Sequence, residues 1–264
     1  MTSLEARLRE VRATGRKAFV PYFMAGASEE WVHHVEAAVA GGADAIEIGL
    51  PFSDPMMDGV VIQEAGLRAL QRGTTIESVL QELASIDCDV PLVAMTYYNI
   101  FLHYGLERSA GRLRESGLSG AIVPDLSLEE SGEWRTACHT HDVATIFLAA
   151  PSTPPARCKD IAAHSEGFIY ASARMAVTGA SSEENDAERV VASLREESDV
   201  PIYVGIGDVY KRQVCESGIA TVGDVERAAE AGFDAVLVGE AFVTSADTSA
   251  TVKAFSLVPA VQRA

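Results

Sequence analysis

The chain reads as an α/β protein, a (β/α)8 TIM barrel that fills a single domain over residues 1–264. Three observations predict it. Short β-branched runs alternate with helical stretches through eight units. The helical stretches repeatedly stop at glycine, at Gly41-Gly42, Gly117 and Gly232, where a C-terminal cap favours a residue free to turn left-handed. No low-complexity linker divides the 264 residues, a length that single barrels commonly have. An open doubly wound sheet is the alternative. The eight units, and the lack of a Gly-x-Gly-x-x-Gly turn after the first strand, disfavour it.

The elements follow in order. In the N-terminal stretch MTSLEARLREVRATGRK, Thr2 and Glu5 have capping-box spacing, and Leu4, Leu8 and Val11 share one helical face, which predicts a short leading helix. Its even spread of charge contains no apolar segment of the secretory kind, so a cytoplasmic location is expected. Strands are predicted at 18–24 (AFVPYFM), 44–49 (DAIEIG), 91–96 (PLVAMT), 120–124 (GAIVP), 144–149 (ATIFLA), 167–171 (GFIYA), 201–205 (PIYVG) and 234–239 (DAVLVG). Helices are predicted at 29–40, 75–86, 107–116, 128–140, 155–165, 187–197 and 223–231. In such a barrel the chemistry belongs at the C-terminal ends of the strands and in the loops that leave them.

Bulk properties exclude several classes of function. Hydrophobic residues make up 48% of the chain, with no apolar run long enough to span a bilayer. The net charge of −17 argues against nucleic acid and anionic membranes, but not against a small phosphorylated ligand held by backbone dipoles. Lysine is scarce beside arginine, which is typical of salt-adapted proteins. The four cysteines (Cys88, Cys138, Cys158, Cys215) form no Cys-x-x-Cys pair, and His33-His34 and His139-x-His141 do not share a helical face, so no metal site is expected.

The most informative stretch is 46–63, IEIGLPFSDPMMDGVVIQ. Alternation turns Glu47 to the face opposite Ile46 and Ile48. A turn containing Pro51, Ser53, Asp54 and Pro55 follows and ends in Asp58-Gly59. One strand and its departing loop thus present two carboxylates, which in different environments can divide acid and base roles. Structural readings compete: a buried Glu47 paired with arginine, and Asp58 as an ordinary Asp-Gly turn.

The string Pro51-Phe52-Ser53-Asp54-Pro55, then Asp58-Gly59 and Ile62-Gln63, closely resembles the tryptophan synthase alpha subunit. The resemblance spans 1–207, with specific matches from residue 18 onward. It implies a cofactor-independent lyase that cleaves indole-3-glycerol phosphate to indole and glyceraldehyde 3-phosphate by a retro-aldol reaction, in tryptophan biosynthesis. Glu47 would be the general acid/base, and Asp58 would hold the indole N–H and stabilise the charge developing there. Tyr22 and Met95 would line the substrate pocket, with Tyr170 near the glutamate. Arg174, Val177, Thr178 and Gly179 match the loop that closes over the substrate. Met95-Thr96-Tyr97 with Asn99, and Pro124-Asp125, follow the third- and fourth-strand patterns. Gly26-Ala27-Ser28 departs from the usual Gly-Asp-Pro. A pyridoxal-phosphate beta subunit is the implied partner, in an alpha2beta2 heterotetramer, with loop 51–59 at the interface. No lysine ends a confidently read strand, which disfavours a Schiff-base aldolase.

The strand-7 region, 205–218, is irregular or duplicated. Gly205-Ile206-Gly207 resembles one seventh-strand turn, and Val214-Cys215-Glu216-Ser217-Gly218-Ile219 reads as a second. From about 214 to 264 the text resembles the end of indole-3-glycerol phosphate synthase. A chimeric seam at 208–213 is one explanation, and the hexapeptide there also resembles a translated sequencing adapter. A natural loop insertion is the other. The phosphate would be held by Gly207 or Gly218 together with Gly239 and Glu240, where Glu240 replaces the family's usual serine. The alternative functions are a synthase-like activity and a non-catalytic barrel that binds ligand or beta subunit.

Overall fold

The computed structural model describes residues 4–150, 152–172, 184–205 and 235–238, and the single positions 223, 252 and 253. Among the described residues nine strands are formed: β1 (Ala18–Met24), β2 (Ile46–Gly49), β3 (Leu92–Met95), β4 (Leu118–Ile122), β5 (Ala144–Ile146), β6 (Leu148–Ala149), β7 (Ile169–Ser172), β8 (Ile202–Gly205) and β9 (Ala235–Val238). They pair in parallel in the order β5-β4-β3-β2-β1-β9-β8-β7-β6.

The predicted strand 144–149 is divided at Phe147 into β5 and β6. Its first half pairs with β4 and its second half with β7. Both ends of the sheet therefore lie in one continuous segment, and the sheet closes on itself. That closure removes the open doubly wound alternative and leaves the (β/α)8 barrel.

The helices are α1 (Leu4–Ala13), α2 (Trp31–Gly41), α3 (Val60–Gln71), α4 (Ile76–Leu83), α5 (Tyr98–Tyr104), α6 (Leu106–Glu115), α7 (Gly132–Thr140), α8 (Pro155–His164) and α9 (Glu184–Glu197). Glycine capping holds where it can be seen. Gly42 (φ 93°) donates its N–H to the carbonyls of Ala38 and Val39 at the end of α2, and Gly117 (φ 86°) follows α6. Two helices are absent from the sequence reading, α3 and α5. The first opens on Val60-Val61-Ile62, which favour strands, yet it buries the small face Ala65, Gly66 and Ala69. Packing overrides propensity there. The predicted helix 223–231 lies outside the described residues apart from position 223.

Period-2 alternation sorts β1 into layers. Phe19 and Phe23 join the large cluster between sheet and helices. Ala18 and Val20 face the barrel interior with Ala45, Val93, Ile122, Ile146, Phe168 and Tyr203. Tyr22 and Met24 belong to a third cluster with Ala65 of α3, nearer the C-terminal ends of the strands.

The opposite end of the barrel is closed by α1, whose Leu4, Leu8 and Val11 pack into the interior cluster as their shared face predicts. Gly120 and Gly167 make room for it, since a Cβ at either would fall 2.9 or 2.7 Å from Leu4 Cδ2. Polar contacts fix this end. Arg16 forms a two-bond fork onto Asp44 at 2.5 and 2.7 Å, while Arg9 and Arg12 reach Asp199 at 2.7 and 2.8 Å. Among the described residues no helix is long and apolar enough to cross a membrane.

Candidate active site

Strand β2 decides where Glu47 points. Ile46 and Ile48 enter the outer cluster, so Glu47 faces inward, level with Tyr22 of β1 on one side and Val93 of β3 on the other. The residue is 3% exposed. Among the described residues no hydrogen bond or ion pair reaches its carboxylate. The arginine-paired carboxylate of this barrel is Asp44, wholly buried at the other end of the same strand segment. A buried carboxylate left without a cation is costly, and sites that use a shifted proton affinity are where such groups persist.

Gly49 lets Tyr22 lie across β2. A Cβ at position 49 would sit 2.0 Å from the Tyr22 hydroxyl oxygen. The tyrosine is thereby brought beside both carboxylates, whose charges, after burial itself, hold its hydroxyl proton more tightly.

Asp58 comes from the loop between β2 and α3. The Asp58 N–H donates to Pro55 O at 3.3 Å. Gln63, on the first turn of α3, sends its amide back to Asp58 O and Pro55 O at 2.9 and 3.2 Å. The spacing of the motif is thus a loop braced by the helix that follows it. Across the pocket mouth, Tyr97 donates its hydroxyl to Asp58 Oδ2 at 2.9 Å and accepts the Met57 N–H at 2.8 Å. Its ring stacks on Phe52, centroids 5.0 Å apart. The fourth-strand Asp125 has a positioning part, accepting the Tyr98 N–H at 2.8 Å at the start of α5.

The two carboxyls titrate apart. Burial, then repulsion from Asp58, pushes Glu47 up to about 8. Burial pushes Asp58 up to about 6, with the Tyr97 hydroxyl pulling the other way. At neutral pH Glu47 holds its proton and Asp58 does not. One site therefore presents an acid and an anion together.

Asp58 opens onto a solvent-open pocket whose walls include Tyr22, Met24, Phe52, Ile62, Met95 and Tyr97. The walls are mostly apolar and aromatic with few polar groups, the pattern of a small-molecule site. Tyr170, on β7, lies near both carboxylates, which with its burial raise its proton affinity.

Of the residues singled out from sequence, the barrel brings together Glu47, Asp58, Tyr22, Met95 and Tyr170. Thr178, Gly179, Gly207, Gly218, Gly239 and Glu240 lie outside the described residues. Sequence reasoning gave no role to Tyr97 or to the wall residues Met24 and Ile62. Tyr97 is 39 positions from Asp58, and only the parallel placement of β2 and β3 joins them. Of the lysines, Lys17 precedes β1 at the far end, and Lys159 pairs with Glu197 on the helical layer at 3.2 Å. Among the described residues no cluster of His, Cys, Asp and Glu is arranged to hold a metal ion.

Comparison with known proteins identifies a family. The profile of the family described as Tryptophan synthase alpha chain matches residues 8–259. The tryptophan synthase alpha chain of Methanosarcina mazei is 39% identical over 242 residues, covering 91% of this chain and 85% of the relative. That of Natronomonas pharaonis is 39% identical over 234 residues, covering 86% and 80%. A solved structure of Mycobacterium tuberculosis tryptophan synthase superposes with a TM-score of 0.86 at 32% identity, covering 99% of this chain and all of that one. The family match continues through the C-terminal segment to residue 259, so the separate synthase resemblance expected for 214–264 is not supported.

Proposed function

The chain belongs to the tryptophan synthase alpha chain family, and from that premise we propose how its residues carry out the reaction. It is a lyase of tryptophan biosynthesis that cleaves indole-3-glycerol phosphate. We assign Glu47 as the general acid/base and Asp58 as the electrostatic partner of the indole nitrogen. What supports this is the buried, inward-facing Glu47 with the half-buried Asp58 near it, the first pushed towards its protonated form by burial and by Asp58, the second held by the Tyr97 hydroxyl.

Glu47 delivers its proton to C3 of the indole ring, and the ring becomes an iminium with its positive charge on nitrogen. Asp58 accepts the ring N–H and stabilises that charge. The glycerol hydroxyl next to the ring then loses its proton to the Glu47 carboxylate. Its oxygen forms the aldehyde carbonyl, the bond to C3 breaks, and the released electron pair neutralises the iminium. Indole and glyceraldehyde 3-phosphate leave, and Glu47 ends protonated as it began. Only the protein's own acid and base take part in this scheme.

For the phosphate we propose Thr178, Gly179, Gly207 or Gly218, and Gly239, with Glu240 offering its backbone N–H rather than its side chain. We read 1–264 as one barrel domain in the cytoplasm, the 208–213 junction being a tolerated insertion or a seam. Membership of the family implies a beta-subunit partner. We propose an alpha2beta2 heterotetramer docked through loop 51–59, where Met56 is 75% exposed.

Indole release in molar salt tests the assignment, for the wild type, Glu47→Gln, Asp58→Asn and a chain lacking residues 208–218. Silence of the two carboxyl variants with activity in the wild type or the shortened chain is expected. A Glu47→Gln enzyme that still releases indole at the wild-type rate would overturn it.

A further inference from the structure

The geometry points to Tyr97 as the positioning residue of Asp58: its hydroxyl occupies Oδ2 of that carboxylate and leaves Oδ1 for the substrate's ring N–H. The inference rests on the role given above to Asp58. A phenol has one proton to donate and two lone pairs to accept with. In this site the Met57 N–H takes a lone pair at 2.8 Å, and the proton is directed at Asp58 Oδ2 at 2.9 Å. Tyr97 thus grips two consecutive loop residues, one by its backbone and one by its side chain.

The phenol itself is held firmly. Tyr97 is buried directly beyond β3, and its ring lies on Phe52 at 5.0 Å with planes 26° apart. Among the described residues no other hydrogen bond reaches the Asp58 side chain. A carboxylate carried by a loop is therefore oriented from a strand end, which is more rigid. Among the described residues four groups face Asp58: Glu47 from β2, Tyr22 from β1, Tyr170 from β7, and Tyr97. No cation is among them, so the Tyr97 proton is what favours the ionised form against burial.

Tyr97→Phe keeps the ring stack and removes the grip. The measurements are kcat and KM for indole release across pH, with the titration of Asp58 followed by NMR of carboxyl-13C aspartate. The expected result is a kcat roughly ten-fold or more lower with KM little changed. The acid limb of the rate and the NMR titration should move together to higher pH. A Tyr97→Phe enzyme with the wild-type kcat and acid limb, while Asp58→Asn is silent, would overturn the inference. So would a loss of rate accompanied by lower stability but an unmoved Asp58 titration, the mark of a merely structural role. If Asp58→Asn retains the wild-type rate, it is the role of Asp58 that falls. The wild type alone gives a second measurement that needs no variant: the 13Cζ signal of Tyr97 should shift as Asp58 titrates, and a signal indifferent to pH between 5 and 7 would refute the contact.

Discussion

Replacing Glu47 by glutamine should make the protein more stable and inactive, and the gain should depend on pH. Glu47 titrates near 8 in the folded chain against 4.5 for a solvated glutamic acid. At about 1.4 kcal/mol for each pH unit, ionising it inside the barrel costs roughly 5 kcal/mol. The sign follows from the direction of the shift. A carboxyl raised on folding contributes its full stability below the unfolded value, and that stability is lost as pH climbs through 4.5 to about 8. Glutamine never ionises, so the variant escapes this loss. The difference should be near zero at pH 4.5, roughly 3 kcal/mol at pH 7, and level off near 5 kcal/mol above pH 8, as upper bounds. Against total stabilities of about 5–15 kcal/mol for a domain, the effect is large. Urea unfolding at fixed molar salt, followed by circular dichroism at pH 5, 7 and 9, reads it directly. Variant and wild type that differ by a constant at all three pH values would refute the reasoning, because the burial penalty would then not be felt by this carboxyl.

The same pair of values predicts a bell-shaped rate. Indole release should rise through pH 6 as Asp58 ionises and fall through pH 8 as Glu47 loses its proton; a rate still climbing at pH 9 would remove Glu47 as the acid. Gly49→Ala places a Cβ 2.0 Å from the Tyr22 hydroxyl, so it should displace that ring, cost about 1–3 kcal/mol of stability and weaken substrate binding. An unchanged KM and melting temperature would show that β2 yields instead. Arg16→Ala strips the fork from a wholly buried Asp44, which keeps Arg7 at 3.7 Å and the Phe19 N–H at 2.9 Å, so it should cost at most about 3 kcal/mol without altering the pH dependence of the rate. Denaturant midpoints and pH profiles of the purified variant check both halves of that statement.

The two buried acids of the second βα unit, Asp44 and Glu47, show how far local pattern reaches. Alternation around Ile46 and Ile48 correctly turns Glu47 into the barrel, because a strand's side-chain period is a property of the backbone alone. Alternation cannot say which acid finds an arginine. That is settled at the barrel floor, where Arg7 of α1 and Arg16 from the turn after it reach Asp44, while among the described residues no cation reaches Glu47. The predicted strand 144–149 was likewise legible as a strand, yet its division at Phe147 follows from having to pair with β4 on one side and β7 on the other. Helix α3 was hidden behind Val60-Val61-Ile62, which vote locally for extended structure.

By itself the sequence determined the parallel barrel and its repeating units, the inward face of β2, the carboxylate pair, and the family through the motif at 46–63. Those properties rest on local periodicity, glycine caps and a contiguous string of residues. The tertiary structure decided which acid pairs with arginine, in which direction burial moves the two carboxyls, and that Tyr97 holds Asp58 from the end of a neighbouring strand. The reason is physical. Desolvation and electrostatic coupling depend on what lies within a few ångströms in space, and closing the barrel sets side by side residues that the chain keeps 39 positions apart.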